Sequence, residues 1–172
     1  MKENNEIQLL IEQLNKNLVI LGSIKSQFHS LKEKEIKLLG QSPAVFMLYS
    51  DMFVSMYTCC ETAFVRISQF FENHLDSEHW HKDLLERMTL EIKNIRPRVL
   101  SDETILVLDE YLRFRHFKRY YFEFKYDPKR IAYLENRFDE AVDRVQKELK
   151  EFIGKLKIMQ KKIRGDGTAE AS

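Results

Sequence analysis

Residues 101–124 read SDETILVLDEYLRFRHFKRYYFEF. Ser101, Asp102 and Glu103 supply a cap and negative charge, both favoured at a helix start, where backbone N–H groups lack partners and the helix dipole is positive. No proline or glycine follows up to Phe124, so one helix is predicted across the whole stretch. Phe114, Phe117, Tyr121 and Phe124 recur at three- and four-residue steps and form an expected core-facing stripe. A neighbouring stripe begins as Ile105, Leu108 and Leu112, then continues as Arg115, Arg119 and Phe122. An apolar face thus becomes cationic without changing direction. From Tyr111 to Arg130, seven Lys or Arg face two acids, in a chain whose net charge is only +1.

The flanking sequence has the same helical period. Ile7, Leu10, Leu14, Leu18, Leu21, Phe28 and Leu31 line one face of a long helix predicted to run to about Leu39. Gly40 ends it, and Ser42 with Pro43 provides the cap and first turn of the next. That helix carries Phe46, Phe53, Met56, Cys60, Phe64, Ile67 and Phe71 on more than one side, which places it centrally. A polar break over Glu72–Glu78 precedes a shorter helix from about Trp80 to Ile92, and Asn94–Leu100, with Pro97, reads as a loop. Asp127 and Pro128 repeat the cap-plus-proline signal ahead of a last long helix. Its stripe is Ile131, Leu134, Phe138, Val142, Val145, Leu149, Phe152, Leu156, Met159 and Ile163.

The expectation is an all-α antiparallel bundle of about five helices, two of them long. It forms a single domain over residues 1–164 with a disordered tail, GDGTAEAS, over 165–172. Apolar stripes on long terminal helices often exceed one subunit's core, which favours a homodimer.

Composition narrows the classes. A chain of 172 residues, 44% hydrophobic and 32% charged, suits one globular helical domain that needs no disulfides. Near-neutral charge gives no global attraction to nucleic acid, so such binding must come from a local patch. The adjacent Cys59 and Cys60 cannot build a disulfide framework and read as small core residues in a reducing cytoplasm. The start, MKENNEIQ, lacks the features of a signal peptide, and no apolar run approaches the roughly 18 residues of a membrane span. Neither a glycine-rich phosphate loop nor a Cys-x-x-Cys pair nor a nucleophile elbow is present, so no cofactor or metal is expected.

The basic-aromatic helix supports two readings. Arginines one turn apart, Arg115 and Arg119, can grip a phosphate through planar donor forks, with Lys118 beside them and rings available to stack on RNA bases. Alternatively, it is a core helix whose long cations cover apolar surface, and periodicity alone favours this.

The blocks ETAFVRI (61–67), WHKDLLERMTLEI (80–92) and IRPRVLSDETILVLDEYLRFRH (95–116), in this order and spacing, shift that balance. Over about Tyr57–Asp127 the chain resembles HepT-like proteins of the HEPN superfamily, small helical ribonuclease toxins of toxin–antitoxin modules. The resemblance implies a HEPN-like bundle and metal-independent endoribonuclease chemistry, in which a 2′-hydroxyl attacks the adjacent phosphate. It also implies a minimal nucleotidyltransferase partner that adds AMP to a motif tyrosine. The family motif is an Arg, four residues, a His, one residue and a Tyr. Arg115 matches the first position, and His116 and Arg119 fit the frequent family sequence. Tyr120 stands where the histidine is expected, however, and Phe122 where the tyrosine is.

The residues implied for the site are therefore Arg115 as the main phosphate group, Arg119 and Lys118 in support, and His116 or Tyr120 in proton handling. A tyrosine with a pKa of about 10 is a poor base at neutral pH but can donate a hydrogen bond to phosphate. Phe122 has no hydroxyl to modify, which leaves Tyr120 and Tyr121 as modification candidates. The alternatives are a catalytically degenerate RNA- or nucleotide-binding subunit paired with a nucleotidyltransferase, and a purely structural helical interaction protein.

Glu61 and Arg66 form a second polar position: Glu61 orients an arginine across the bundle or between subunits, or the two are an ordinary ion pair. His79 and His81, with Glu78 and Asp83, have a metal-like composition without the spacing of further ligands, so Trp80 as a helix-start anchor is the preferred reading there. The basic turn of Lys155, Lys157, Lys161, Lys162 and Arg164 reads as solvated charge suited to a helix C-terminus.

Overall fold

The computed structural model describes residues 2–72, 80–93, 95–120 and 125–169. The elements are α1 (Lys2–Glu33), α2 (Glu35–Leu39), α3 (Pro43–Glu72), α4 (Trp80–Thr89), α5 (Asp102–Tyr120) and α6 (Pro128–Ala169). Five helices and the short α2 make an all-α bundle. Among the described residues, extended pairing is confined to one isolated bridge between Ile92 and Arg96.

α1 and α6 pack antiparallel against each other. Lys25 meets Asp143 at 2.6 Å, His29 meets Asp139 at 2.9 Å and Lys32 meets Glu135 at 2.9 Å. At the other end of the pair, Gln160 donates to the Asn4 carbonyl at 3.2 Å. α3 packs against α1, α5 and α6, as expected of a helix with apolar residues on several sides. Phe28, Phe53 and Phe138 come from three different helices and are all buried. Phe28 and Phe138 stack with centroids 3.9 Å apart, and Phe53 meets Phe138 at 6.0 Å.

The caps follow the local sequence. Ser101 Oγ accepts the Thr104 N–H at 3.3 Å, and Glu148 of α6 accepts both the Ser101 N–H at 3.0 Å and its hydroxyl at 2.7 Å. Glu148 thereby does from another helix what a capping-box carboxylate does within one. Asp127 Oδ1 accepts the Lys129 N–H at 2.9 Å, and Gly40, at φ 61°, closes α2 in a conformation that side chains resist.

Three boundaries differ from expectation. The first helix breaks at Lys34, so that α2 is a separate turn. The third predicted helix stops at Thr89, because the Met88 carbonyl receives the N–H groups of Val99 and Leu100, each at 3.0 Å, and the chain has already turned back. The last helix continues past residue 164 to Ala169, where a tail was expected; propagating an existing helix fixes one residue per hydrogen bond gained. The tail's last residues, 170–172, lie outside the described residues, as do Tyr121, Phe122 and Phe124 of the predicted α5 stripes.

One buried cation anchors α4. Arg96 is 1% exposed; it donates to Glu72 Oε1 at 2.8 Å and 3.1 Å and to the Arg87 carbonyl at 2.8 Å. Arg87 reaches the other Glu72 oxygen at 3.0 Å. The end of α3, the end of α4 and the following loop are thus locked around a single carboxylate. α4 then lies across α3 and α5.

Candidate functional site

α3 buries Tyr57, Glu61, Phe64 and Ser68, residues spaced four, three and four apart on one face. A carboxylate on such a face must find cations or hydrogen-bond donors, because an unpaired buried charge costs several kcal/mol. Glu61, its side chain 7% exposed, finds two. Its Oε2 accepts Arg115 Nη1 of α5 at 2.5 Å, and its Oε1 accepts His81 Nδ1 of α4 at 2.5 Å.

Each partner arrives for a local reason. Arg115 continues the buried Leu108–Leu112 line by one further step of three residues, so it points at α3 as those leucines do. Its guanidinium carbon also lies 5.7 Å from the Tyr57 ring centre, with π attraction adding to the ion pair. His81 sits on the same face of α4 as the buried Leu84, Leu85 and Met88. The apolar stripe that docks α4 therefore carries the imidazole onto Glu61.

His116, next to Arg115, leans on this cluster from the exposed side. Its ring meets that of His81 edge to face, with centroids 5.4 Å apart and an interplanar angle of 75°. Partial desolvation pushes the His116 pKa below its ordinary value of 6.5, and the neighbouring His81 and Arg115 push the same way against the opposing pull of Glu61. The shift favours the neutral ring. Burial, reinforced by Glu61, holds the Tyr57 phenol protonated well above its ordinary range.

Arg115, Lys118 and Arg119, with Val54, line an open depression of about 540 Å³. Lys118 also pairs with Asp51 of α3, and the exposed Arg119 lies 5.8 Å from the Tyr120 ring centre. Tyr120 is 70% exposed and lies against Arg119. Of the candidates, the structure thus gathers Glu61, Arg115 and His116 into one cluster and puts Arg119 and Lys118 at its cationic edge. Tyr121 falls outside the described residues.

Arg66 does not pair with Glu61. It turns toward α1, donating to the Asn17 side-chain oxygen and to the Gln13 carbonyl at 3.3 Å. His81 was weighed in the sequence as part of a metal-like cluster, and its place on Glu61 was missed. Its position three residues before Leu84 and four before Leu85 was the available signal, since that spacing puts it on the docking face. Glu78, His79 and the Trp80 side chain lie outside the described residues. Among the described residues, no three His, Cys, Asp or Glu side chains gather as a metal site, and no helix is long and apolar enough to cross a membrane.

Comparison with curated proteins and with solved structures returns no match. A family model described as HepT-like protein matches residues 48–156, a span that takes in most of α3, all of α4 and α5, and most of α6. Glu61, His81, Arg115, His116 and Arg119 all fall inside it, and the chain belongs to the HepT-like protein family.

Proposed function

We propose that this HepT-like protein is a HEPN-type endoribonuclease of a toxin–antitoxin module, cleaving RNA without a metal ion. The observation that carries the reading is Arg115, fixed by a buried carboxylate beside the imidazole of His116, at the edge of a depression lined by three cations. Arg115 and Arg119 hold the scissile phosphate and stabilise the charge that grows on it. His116 accepts the proton of the attacking 2′-hydroxyl. The O2′–P bond forms and the P–O5′ bond breaks, leaving a 2′,3′-cyclic phosphate and a 5′-hydroxyl end. Tyr120 and Phe122 occupy the family's histidine and tyrosine positions, so the proton chemistry shifts to the rings around Glu61.

A homodimer and a minimal nucleotidyltransferase complete the module in this reading. Tyr120, 70% exposed, is the candidate for AMP addition among the described residues, and Tyr121 is the alternative. The buried free thiols of Cys59 and Cys60 suit a cytoplasmic setting.

A second reading, an RNA-binding subunit that no longer cleaves, is favoured by the two substituted motif positions. Incubating the protein with mixed-sequence RNA in EDTA separates the two. Cleavage that disappears in Arg115→Ala and falls steeply in His116→Ala supports the nuclease. Salt-sensitive binding with intact RNA supports the binding subunit, and neither binding nor cleavage defeats both.

A further inference from the structure

The geometry points to His81 as the second proton-transfer group of this site, supplying from α4 the imidazole that the α5 motif lacks. This role rests on the cleavage reading above. Transesterification of RNA moves two protons: one leaves O2′ and one must reach the departing O5′. His116 accounts for the first. Tyr120, in the histidine's place, is ill suited to the second, since a phenol is a far weaker acid than an imidazolium.

His81 has the supports that such a group needs. Its side chain is 15% exposed, and its Nδ1 is 2.5 Å from Glu61 Oε1. A carboxylate only accepts, so the Nδ1 proton lies on that bond, and Nε2 is the nitrogen that exchanges protons. Glu61 holds Arg115 through its other oxygen, so guanidinium and imidazole are registered on one rigid carboxylate. The His116 ring lies 5.4 Å away, edge to face, and in this proposal one phosphodiester spans the two imidazoles. This is the logic of a carboxylate–histidine dyad, in which the acid fixes tautomer and orientation. In the balanced step, protonated His81 gives its Nε2 proton to O5′ as the P–O5′ bond breaks, while His116 gains the proton of O2′. Solvent exchange restores both rings.

The test uses two RNAs identical except that one carries a single bridging 5′-sulfur, whose thiolate leaves without a proton. Wild type is expected to cleave both. His81→Gln should lose at least about 100-fold on ordinary RNA and recover most of it on the thio linkage. His81→Gly, an independent arm, should regain cleavage of ordinary RNA when free imidazole is added. Arg115→Ala should fail on both substrates. His81→Gln cleaving ordinary RNA like wild type overturns the role while leaving the nuclease reading intact. Equal losses on both RNAs, with no imidazole rescue of His81→Gly, do the same. A wild type that cleaves neither RNA overturns the nuclease reading, and the role of His81 falls with it.

Discussion

Glu61 of α3 and Arg115 of α5 meet across the bundle at 2.5 Å, and the same carboxylate takes His81 of α4 on its other oxygen. One side chain therefore fixes the relative positions of three helices and of every charged group in the cluster. Such a pair contributes little net stability against an apolar replacement, since desolvation offsets the Coulomb gain. Removing one partner is another matter, because the charge left behind stays largely buried.

Glu61→Ala is accordingly expected to cost about 2–3 kcal/mol, read as a lower midpoint in urea denaturation. Arg115 is 23% exposed and keeps some water, which holds the loss below that of a fully buried pair. Glu61→Gln, which keeps the shape and one acceptor, should cost less. A midpoint unchanged in both variants would mean that the cluster does not hold the helices together.

Arg96 should matter more to stability than to chemistry. Its side chain is fully buried on Glu72, so Arg96→Ala is expected to cost about 3–5 kcal/mol. The Val99 and Leu100 amides that close the end of α4 should lose hydrogen-exchange protection in step. Protection retained at those amides would show that the loop closes α4 without its buried arginine.

His116 predicts a pH effect with a definite sign. Its folded-state pKa lies below 6.5, so the folded chain binds that proton less readily than the unfolded chain does. Stability therefore falls as pH drops from above the unfolded value through the folded one. In His116→Gln this part of the slope disappears, and the melting temperatures of variant and wild type should diverge between pH 7 and pH 5. Parallel curves across that range would contradict it.

Arg119 is exposed, so Arg119→Ala should change stability by no more than about 0.5 kcal/mol. Under the RNA reading it should weaken single-stranded RNA binding and reduce the slope of log affinity against log salt by about 0.7. A filter-binding salt series measures this; an unchanged slope would remove Arg119 from the phosphate surface.

Much of this was legible along the chain. The stripe from Ile131 to Leu156 specified α6, Ser101 and Asp127 marked two helix starts, and the step from Leu112 to Arg115 placed that arginine on an inward face. The end of α4 was not legible, because Met88 is capped by Val99 and Leu100, whose partnership depends on a turn held by a buried ion pair. The partner of Arg66 was not legible for a related reason. Glu61 lies five residues away on the same helix, off its face, whereas Asn17 comes from another helix altogether.

The sequence by itself determined the helices, their apolar faces and the cationic turn that includes Arg115 and Arg119, because period, caps and charge spacing are local properties. Only the tertiary structure decided that Glu61, His81 and Arg115 share one carboxylate with His116 against them. The four residues come from three helices, with Glu61 and Arg115 54 positions apart, and burying a charge selects whichever partners packing delivers.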